Sequence, residues 1–263
     1  MDGYIYTFRL YNRILTAEEV MENYEYELLP KEELPPKEEL SLITDGLTCW
    51  LDARSLSSFV SGETWMDLSG NGNNGSISHA SLTSLENGIL NGIGCINIPN
   101  PTKGLSNYTV EVGLKDLSIG YWLGLWGNTA GSTGNNVYKE NGARYNSYPI
   151  VGRVDISKTA HEYYTVVVKD NQMNAYYNGM LLVENCCTLT PSDAKYFVFM
   201  GRKPNAPTQN TDAVADAKRA EWYFLRIYDR ALTGDEISFN YTYETSINRG
   251  MPNVEEVKPI DRS

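Results

Sequence analysis

The residues with the clearest chemical potential lie between positions 120 and 149, in GYWLGLWGNTAGSTGNNVYKENGARYNSYP. This stretch places aromatic rings among Asn, Ser and Gly side chains. Carbohydrate sites combine an aromatic platform with amides and carboxylates that bind hydroxyl groups. We therefore predict that this stretch binds a sugar, and the candidate ligand-binding residues are Trp126, Tyr138, Tyr145 and Tyr148.

Two interpretations of the aromatic residues remain open. Trp122 and Trp126 are four positions apart, so they share one face of a strand. One face of a strand in a layered sheet is core, and burial of both rings is the interpretation that we favour for this pair. The three tyrosines lie in a Gly- and Asn-rich stretch that we expect to form loops rather than to pack.

The acidic residues do not form a recognisable catalytic pattern. Retaining glycoside hydrolysis uses two carboxyl groups about 5 Å apart, and Glu111 and Asp116 are too far apart in strand register to converge in this way. The acids of TAEE and TGDE lie at predicted helix starts, where carboxylates interact favourably with backbone amides. His161 begins a predicted strand next to Glu162 and His79 lies in a predicted loop, so a Ser/His/Asp arrangement is not supported and we expect no enzymatic activity.

The cysteines do not have the spacing of a metal site. The chain contains no CxxC pair and only two histidines, so zinc is not expected. Because no secretory signal is apparent, reduced thiols are favoured over disulfides, and both states remain open for Cys49, Cys95, Cys186 and Cys187.

A short oxygen-rich segment raises the question of calcium. DLSGNGNN, residues 67–74, could supply Asp67, Asn side chains and backbone carbonyls to a hard cation. A tight turn formed by Gly and Asn is favoured, because one carboxylate is weak support for calcium and these residues readily adopt positive φ. We predict no cofactor, with calcium as the open alternative.

Charge and hydropathy limit the possible partners. The 263 residues carry a formal net charge of -11, which argues against nucleic acid, because phosphate binding needs clustered Lys and Arg. No stretch approaches the roughly 18 apolar residues of a membrane span. The start, MDGY, has neither the basic residues nor the apolar run of a signal peptide.

The two ends of the chain share a motif. Residues 3–27 align without gaps to residues 220–244, and each copy predicts a strand followed by a short helix. Thr16 with Glu19 and Thr233 with Glu236 have the spacing of a capping box at the helix start. The identical residues are Tyr6, Arg9, Tyr11, Arg13, Leu15, Thr16, Glu19, Asn23, Tyr24, Tyr26 and Glu27 in the first copy.

The repeated arginines occupy the strand-to-helix corner in both copies. Arg9 and Arg13 correspond to Arg226 and Arg230. A structural role, in which the guanidinium binds carbonyls or a carboxylate at the corner, is favoured over a ligand-binding role.

The segment between the first copy and the main domain has the composition of a linker. LPKEELPPKEEL, residues 29–40, contains three prolines and repeated charges, which favours a stiff linker over residues 28–43. The alternative is a solvated helix with a proline kink.

Residues 44–244 have the pattern of an antiparallel β domain, followed by a tail or linker at 245–263. The clearest hairpin covers residues 162–185, with two-residue turns at Asp170-Asn171 and Asn178-Gly179. Further strands are predicted in GLTCWLDA, GCINIPN, YTVEVGL, IGYWLGLW, YPIVGRVDI, YFVFMGRK and EWYFLRIY.

Three segments of this domain carry a family resemblance. GLTCWLDA with WMDLSGNGNNGSI, EYYTVVVKDNQMNAYYNGMLL and FVFMGRK with AEWYFLRIYDRALTGDEISFNY resemble, in order, blocks of the laminin-G-like, concanavalin A-like jelly-roll domains. The resemblance implies an all-β, antiparallel two-sheet jelly-roll sandwich with short peripheral helices. It also implies that residues 1–27 are the end of a preceding copy of the domain.

The resemblance also implies a function. It is typical of non-catalytic recognition modules in larger surface-exposed proteins, with a glycan or cell-surface polysaccharide, or neighbouring copies of the domain, as partner. A phage tail or virion protein is the favoured setting, with a virion or cell-surface location. The alternatives are a structural or self-association domain of a phage particle or bacterial adhesin and, less favoured, a glycoside hydrolase or its accessory domain.

Overall fold

The computed structural model describes residues 14–21, 41–55, 57–61, 64–77, 84–86, 89–91, 96–116, 123–127, 136–140, 144–148, 162–199 and 220–247. The chain divides into two compact units, Met1–Ser41 and Leu42–Ser263. The boundary falls within the predicted linker, and residues 28–40 of that linker lie outside the described residues.

Strands form nearly all of the regular structure that is described. The helices are α1 (17–21) and α2 (Gly234–Ile247). The strands are β1 (Leu47–Asp52), β2 (Phe59–Ser61), β3 (Thr64–Trp65), β4 (Gly75–Ile77), β5 (Ser84–Glu86), β6 (Ile89–Asn91), β7 (Ile96–Pro99), β8 (Tyr108–Asp116), β9 (Leu123–Gly127), β10 (Asn136–Glu140), β11 (Arg144–Tyr148), β12 (Glu162–Lys169), β13 (Gln172–Tyr177), β14 (Met180–Thr188), β15 (Tyr196–Phe199) and β16 (Ala220–Tyr228).

The strands of the second unit form two antiparallel sheets. Sheet A has the order β14-β13-β12-β8-β16-β6-β5, and β1 also pairs with β16. Sheet B has the order β11-β10-β9-β15-β7-β4-β3-β2. Strands that are neighbours in a sheet are often far apart in the chain. The two ends of the domain therefore meet in sheet A, where Leu51 pairs with Leu225.

The predicted hairpin of sheet A is confirmed, with both of its turns. Asp170 and Asn171 have φ of 50° and 63°, and Asn178 and Gly179 have φ of 49° and 77°. Two successive residues at positive φ form the turn whose twist matches that of the flanking strands. These residue types therefore set the register of β12, β13 and β14.

Alternating side chains from both sheets form the core of the sandwich. Val110 and Val112 of β8 and Leu225 of β16 are at most 1% exposed, and they face aromatic residues of sheet B. Phe199 of β15 contacts Trp222 of β16 edge to face, with ring centroids 5.1 Å apart. Burial of this apolar surface is the main favourable term in folding.

Helix α2 covers the outer face of sheet A. Ile237 is 1% exposed and packs in a second apolar cluster with Trp50, Val167 and Tyr228. Gly113 of β8 allows close packing on this face, because a Cβ there would lie 2.3 Å from the Phe224 ring. The sheet therefore has two buried faces, one against sheet B and one under the helix.

The fold class is confirmed as an all-β sandwich. Residues before Thr44 also contact it, because Leu42 is buried and the Ile43 amide donates to Asn240 Oδ1 at 3.0 Å. Helix α2 runs to Ile247. The domain limits of 44 and 244 stay predictions. Strands β10 and β11 occupy a stretch that was predicted to form loops. The glycines of the stretch lie outside these strands, whose Val137 and three tyrosines favour strand structure, and β10 pairs with both β9 and β11.

Candidate functional site

Trp126 lies in the core between the sheets. The residue is 1% exposed, and its ring stacks on Phe197 with centroids 5.3 Å apart. Tyr108 meets the same ring edge to face at 6.4 Å. A ring enclosed on both sides presents no face to a sugar, so the ligand-binding prediction for Trp126 gives way to the favoured alternative of burial. Trp122 lies outside the described residues.

The three tyrosines of the prediction lie on the β10–β11 hairpin at one edge of sheet B. In the ladder, Tyr138 is opposite Asn146, Tyr145 is opposite Lys139, and Tyr148 is opposite Asn136. The hairpin thus brings all three tyrosine positions within one short antiparallel ribbon. The prediction that they bind ligand stays a prediction.

Asp67 organises the Gly/Asn turn that was considered for calcium. Its Oδ1 accepts hydrogen bonds from the amides of Trp50 at 2.8 Å and Ser69 at 2.9 Å. Its Oδ2 accepts from the Asn73 amide at 2.9 Å and from Ser69 Oγ at 2.8 Å. Four donors surround this carboxylate, which fits the favoured interpretation of a turn held by its own polar groups.

An open polar groove of about 700 Å³ lies beside this turn. It is lined by residues 44–48 together with Asn71 and Asp229. The Asp45 side chain is 85% exposed and contacts Arg230 Nε at 2.8 Å. Exposed carboxylates next to backbone polar groups could accept hydrogen bonds from the hydroxyl groups of a ligand.

A buried ionic cluster lies on the outer face of sheet A beneath α2. Arg226 of β16 is fully buried, and its guanidinium contacts two carboxylates, Glu111 at 3.4 Å and Glu244 of the helix. The guanidinium also lies over the Phe224 ring, 4.1 Å from its centroid. A charge this deep is tolerated only with such partners, since an unpaired buried ion is costly.

Arg54 completes the cluster from the loop after β1. Its Nη2 and Nε donate to Asp52 at 2.6 and 2.8 Å, and its Nη1 donates to Glu244 Oε2 at 2.5 Å. Glu244 therefore joins Arg54 to Arg226, and so ties the last turns of α2 to both β1 and β16.

Glu111 is held by a neutral donor as well as by arginine. Asn240 Nδ2 lies 3.2 Å from both carboxylate oxygens, and Tyr228 Oη donates to the carbonyl of Ile43 at 3.0 Å. Burial raises the pKa of Glu111, and the nearby Arg226 guanidinium partly offsets this increase. Burial also raises the pKa of the Tyr228 hydroxyl well above its ordinary value.

The space inside this cluster is too small for a sugar. A cavity of about 10 Å³ lies among Glu111, Arg226, Asn240 and Glu244, and it is bordered by Tyr163 and Tyr241. That volume corresponds to about one water molecule. The described carboxylates of the cluster contact arginine and asparagine side chains of the fold.

The structural role predicted for the arginines is confirmed for both described ones. Arg230 donates bidentately to Glu236, at 2.6 and 3.0 Å, and its Nε donates to the Asp45 carbonyl at 3.1 Å. The capping box is present as predicted: the Thr233 amide donates to Glu236 Oε2 at 2.8 Å, and the Glu236 amide to Thr233 Oγ1 at 3.3 Å. Arg9 and Arg13 lie outside the described residues.

The sequence revealed only part of this cluster. Asn240 and Glu244 carry a signal, since both recur in the repeat as Asn23 and Glu27. Arg54 and Asp52 carry none, because they meet the helix only through long-range strand pairing.

The Glu236–Arg230 pair gives a testable pH dependence. Hydrogen bonding from Arg230 lowers the pKa of Glu236 to about 2, below the unfolded value of about 4.3. A lowered folded pKa adds stability above the unfolded pKa and loses it as pH falls toward 2. We expect Glu236→Gln to lower the free energy of unfolding by about 1 kcal/mol at pH 7 and to have little effect near pH 2.

Urea unfolding at pH 7, 4 and 2.5 measures this difference. The matched control is Asp235→Asn, which changes an exposed carboxylate in the same helical turn. A Glu236→Gln effect that is constant with pH would contradict the assignment of the pair.

Two cysteines are described with their side chains. Cys49 and Cys187 are buried free thiols, and burial raises the pKa of Cys49 well above its ordinary value. The side chains of Cys95 and Cys186 lie outside the described residues. Within the described part of the chain, no group of three His, Cys, Asp or Glu residues is placed to hold a metal ion.

Comparison with known proteins gives matches in structure alone. No family model and no curated protein matches the chain. Trypanosoma rangeli sialidase solved with sialic acid matches with a TM-score of 0.57 at 14% identity, over 78% of this chain and 34% of the sialidase. The binding domain of botulinum neurotoxin DC solved with SialylT matches with a TM-score of 0.51 at 11% identity, over 76% of this chain and 52% of that chain.

A third match is the binding domain of botulinum neurotoxin serotype D, with a TM-score of 0.51 at 16% identity, over 79% of this chain and 53% of that one. The chain thus spans about a third of the sialidases and about half of the toxin chains. At these identities the likeness shows the fold, a β-rich sandwich.

These matches overturn the expectation that the chain has no enzymatic role. Sialidases are glycoside hydrolases, so a fold like this one occurs inside enzymes. The sequence-based expectation rested on the absence of a carboxylate pair and of a Ser/His/Asp arrangement, and such an absence does not exclude an enzyme.

Among the described residues, no helix has the length and apolar character needed to cross a membrane.

Proposed function

We propose that this chain is a glycan-binding sandwich module of the concanavalin A-like, laminin-G-like family, and that sialylated glycans are its ligand class. The observation that carries the proposal is the match to a toxin binding domain solved with SialylT, over 76% of this chain. The match to a sialidase solved with sialic acid supports the same ligand class in a different kind of protein.

The β10–β11 hairpin is the proposed site. In the register of the ribbon, Tyr138, Arg144 and Tyr148 share one face, whereas Lys139 and Tyr145 share the other face with buried Val137. Sialic acid carries a carboxylate, and the guanidinium of Arg can bind a carboxylate bidentately. The face that carries Arg144 with Tyr138 and Tyr148 gives an acidic chain a local place for an anionic sugar.

The test is binding to matched sialylated and desialylated glycans, on an array and then by titration. We expect the protein to bind the sialylated members, and we expect Tyr138→Ala, on the same face as Arg144, to weaken binding at least tenfold, a loss of about 1.4 kcal/mol. Arg144→Ala should remove the preference for the sialylated form.

The control variant is Tyr196→Ala, which removes a half-buried tyrosine from strand β15 of the same sheet. Binding should survive this change. Loss of binding in Asp229→Ala with full binding in Tyr138→Ala would move the site to the polar groove beside the Gly/Asn turn. Absence of binding to every glycan would favour a structural or self-association domain.

Glycoside cleavage is a second candidate, favoured by the sialidase matches. A fluorogenic sialoside tests it directly, since any turnover that scales with protein concentration establishes catalysis. Binding without turnover supports the module, and turnover supports the hydrolase.

The setting that we propose is a larger surface-exposed protein, either a virion or phage tail protein or a cell-surface adhesin. A glycan-binding domain acts where it can meet cell-surface polysaccharide. Calcium dependence of glycan binding, measured with and without a chelator, would show whether a cation takes part.

A further inference from the structure

The terminal repeat is not explained by glycan binding, and the structure shows what the second copy does. Residues 220–244 supply strand β16 and helix α2, which close the outer face of sheet A. The side chains that recur in the first copy are those that hold this closure. Arg226, Tyr228, Asn240 and Glu244 join the ionic cluster, Arg230, Thr233 and Glu236 fix the corner, and Leu232 is 3% exposed in the apolar cluster.

The described part of the first copy has the same local structure. The Thr16 amide donates to Glu19 Oε2 at 2.9 Å, and the Glu19 amide donates to Thr16 Oγ1 at 3.2 Å. The equivalent distances in the second copy are 2.8 and 3.3 Å. Both helices therefore begin in the same way.

The two copies differ in the burial of their apolar helix face. Val20 is 54% exposed, whereas Ile237, at the equivalent position, is 1% exposed. An amphipathic helix gains most of its stability from packing this face against another element. The first copy therefore has an apolar face of the kind that the second copy buries against sheet A.

The polar residues of the first copy specify the partner further. Arg9, Tyr11 and Arg13 alternate along a predicted strand, and Asn23 and Glu27 have the four-residue spacing that brings side chains together on a helix. In the second copy, the equivalent Arg226 binds Glu111, and Glu244 binds Arg54. An unrelated apolar groove could bind Leu15 and Val20. It would not provide ionic partners for Arg9 and Glu27.

We propose that residues 3–27 are the closing strand and helix of a second β-sandwich of this kind. The acceptor is a sheet face that supplies a buried carboxylate for Arg9 and an arginine for Glu27. In the sandwich of residues 42–247, the equivalent position on the outer face of sheet A is filled by residues 220–247.

A segment exchange in the full-length chain tests the proposal. Residues 220–244 are replaced by a copy of residues 3–27, which has the same length. We expect the exchanged chain to unfold in one cooperative transition, and we expect Arg9→Met within the transplanted copy to lower the melting temperature as much as Arg226→Met does in the parent. Asn12→Ala in the transplanted copy, at the position equivalent to exposed Asp229, is the control and should have little effect.

Thr7 of the first copy is smaller than Phe224 of the second copy, so the exchange needs a second variant. Thr7 occupies the position of Phe224, whose ring supports the Arg226 guanidinium. The exchanged chain is therefore also made with Thr7→Phe in the transplanted copy. If neither version folds, or if Arg9→Met has no effect in a version that folds, the proposal is wrong.

Limited proteolysis of the unmodified monomer identifies the acceptor. We expect cleavage within residues 1–27, because the acceptor sheet belongs to a second sandwich. Protection of this segment in the monomer would show that the chain's own sandwich binds it, and this would overturn the proposal. Protection that appears only in a dimer would place the segment on a copy whose own closing position is already filled by residues 220–247, and this would also overturn the proposal.

Discussion

Replacing Arg226 with methionine is expected to lower the free energy of unfolding by about 3–5 kcal/mol and the melting temperature by about 10 °C. The side chain is fully buried and contacts Glu111 and Glu244. Methionine keeps much of the packing over Phe224 but leaves these two carboxylates without the guanidinium. The loss should be smaller at pH 4 than at pH 8, because burial raises the pKa of Glu111 and the neutral acid tolerates burial better.

Arg230→Met is the matched control for this prediction. Arg230 also binds a carboxylate, Glu236, but its side chain is 28% exposed. Exposed pairs contribute about 0–1 kcal/mol, so we expect a loss of about 1 kcal/mol. Denaturant titrations of both variants measure the contrast. Equal losses would mean that burial of the ionic cluster does not determine its contribution.

Replacing Trp126 with alanine is expected to lower the free energy of unfolding by about 3–5 kcal/mol, because the change leaves a large cavity beside Phe197 and Tyr108. Trp126→Phe keeps an aromatic ring and should lose less. Glycan affinity, measured on the folded fraction, should be unchanged in both variants. Denaturant unfolding measures the free energy of unfolding, and glycan titration measures the affinity.

The half-buried Tyr196 provides the comparison for this core residue. Tyr196→Ala in the neighbouring strand β15 should lower the free energy of unfolding by about 1 kcal/mol. If Trp126→Ala were as stable as the wild type but unable to bind glycan, the ring would be a ligand contact after all. The two measurements thus separate a packing role from a binding role.

The local features of the fold could be predicted from the sequence. Thr233 and Glu236 formed the expected capping box, and Asn178 with Gly179 formed the expected turn. These features depend on residues within a few positions of each other, so the sequence contains all of the interacting groups. The arginine corner belongs to the same class, because Arg230 and Glu236 are six positions apart.

The ionic cluster could not be predicted in the same way. Arg54 and Glu244 are 190 positions apart, and Glu111 and Asn240 are 129 apart. Glu111 was recognised only as a carboxylate without a catalytic partner, and its arginine partner was assigned to the strand–helix corner alone. The pairing of β1, β8 and β16 brings these residues together, and that pairing is a property of the whole sheet.

The candidate sugar site shows the same limit. The composition of residues 120–149 directed attention to aromatic side chains, but composition does not distinguish a ring in the core from a ring on the surface. Trp126 is enclosed because β9 lies between β10 and β15, with its alternate residues facing the other sheet. The tyrosines at 138, 145 and 148 lie on paired strands because β10 pairs with both β9 and β11.

The sequence alone determined the alternation of strands, the turns, the helix caps and the repeat at the two ends. Each of these depends on near neighbours or on direct comparison of one segment with another. Only the tertiary structure decided which aromatic residues are core, which charges are buried together and which sheet face the last helix covers. Those outcomes depend on contacts between segments that are distant in the chain, and such contacts exist only after the two sheets have packed.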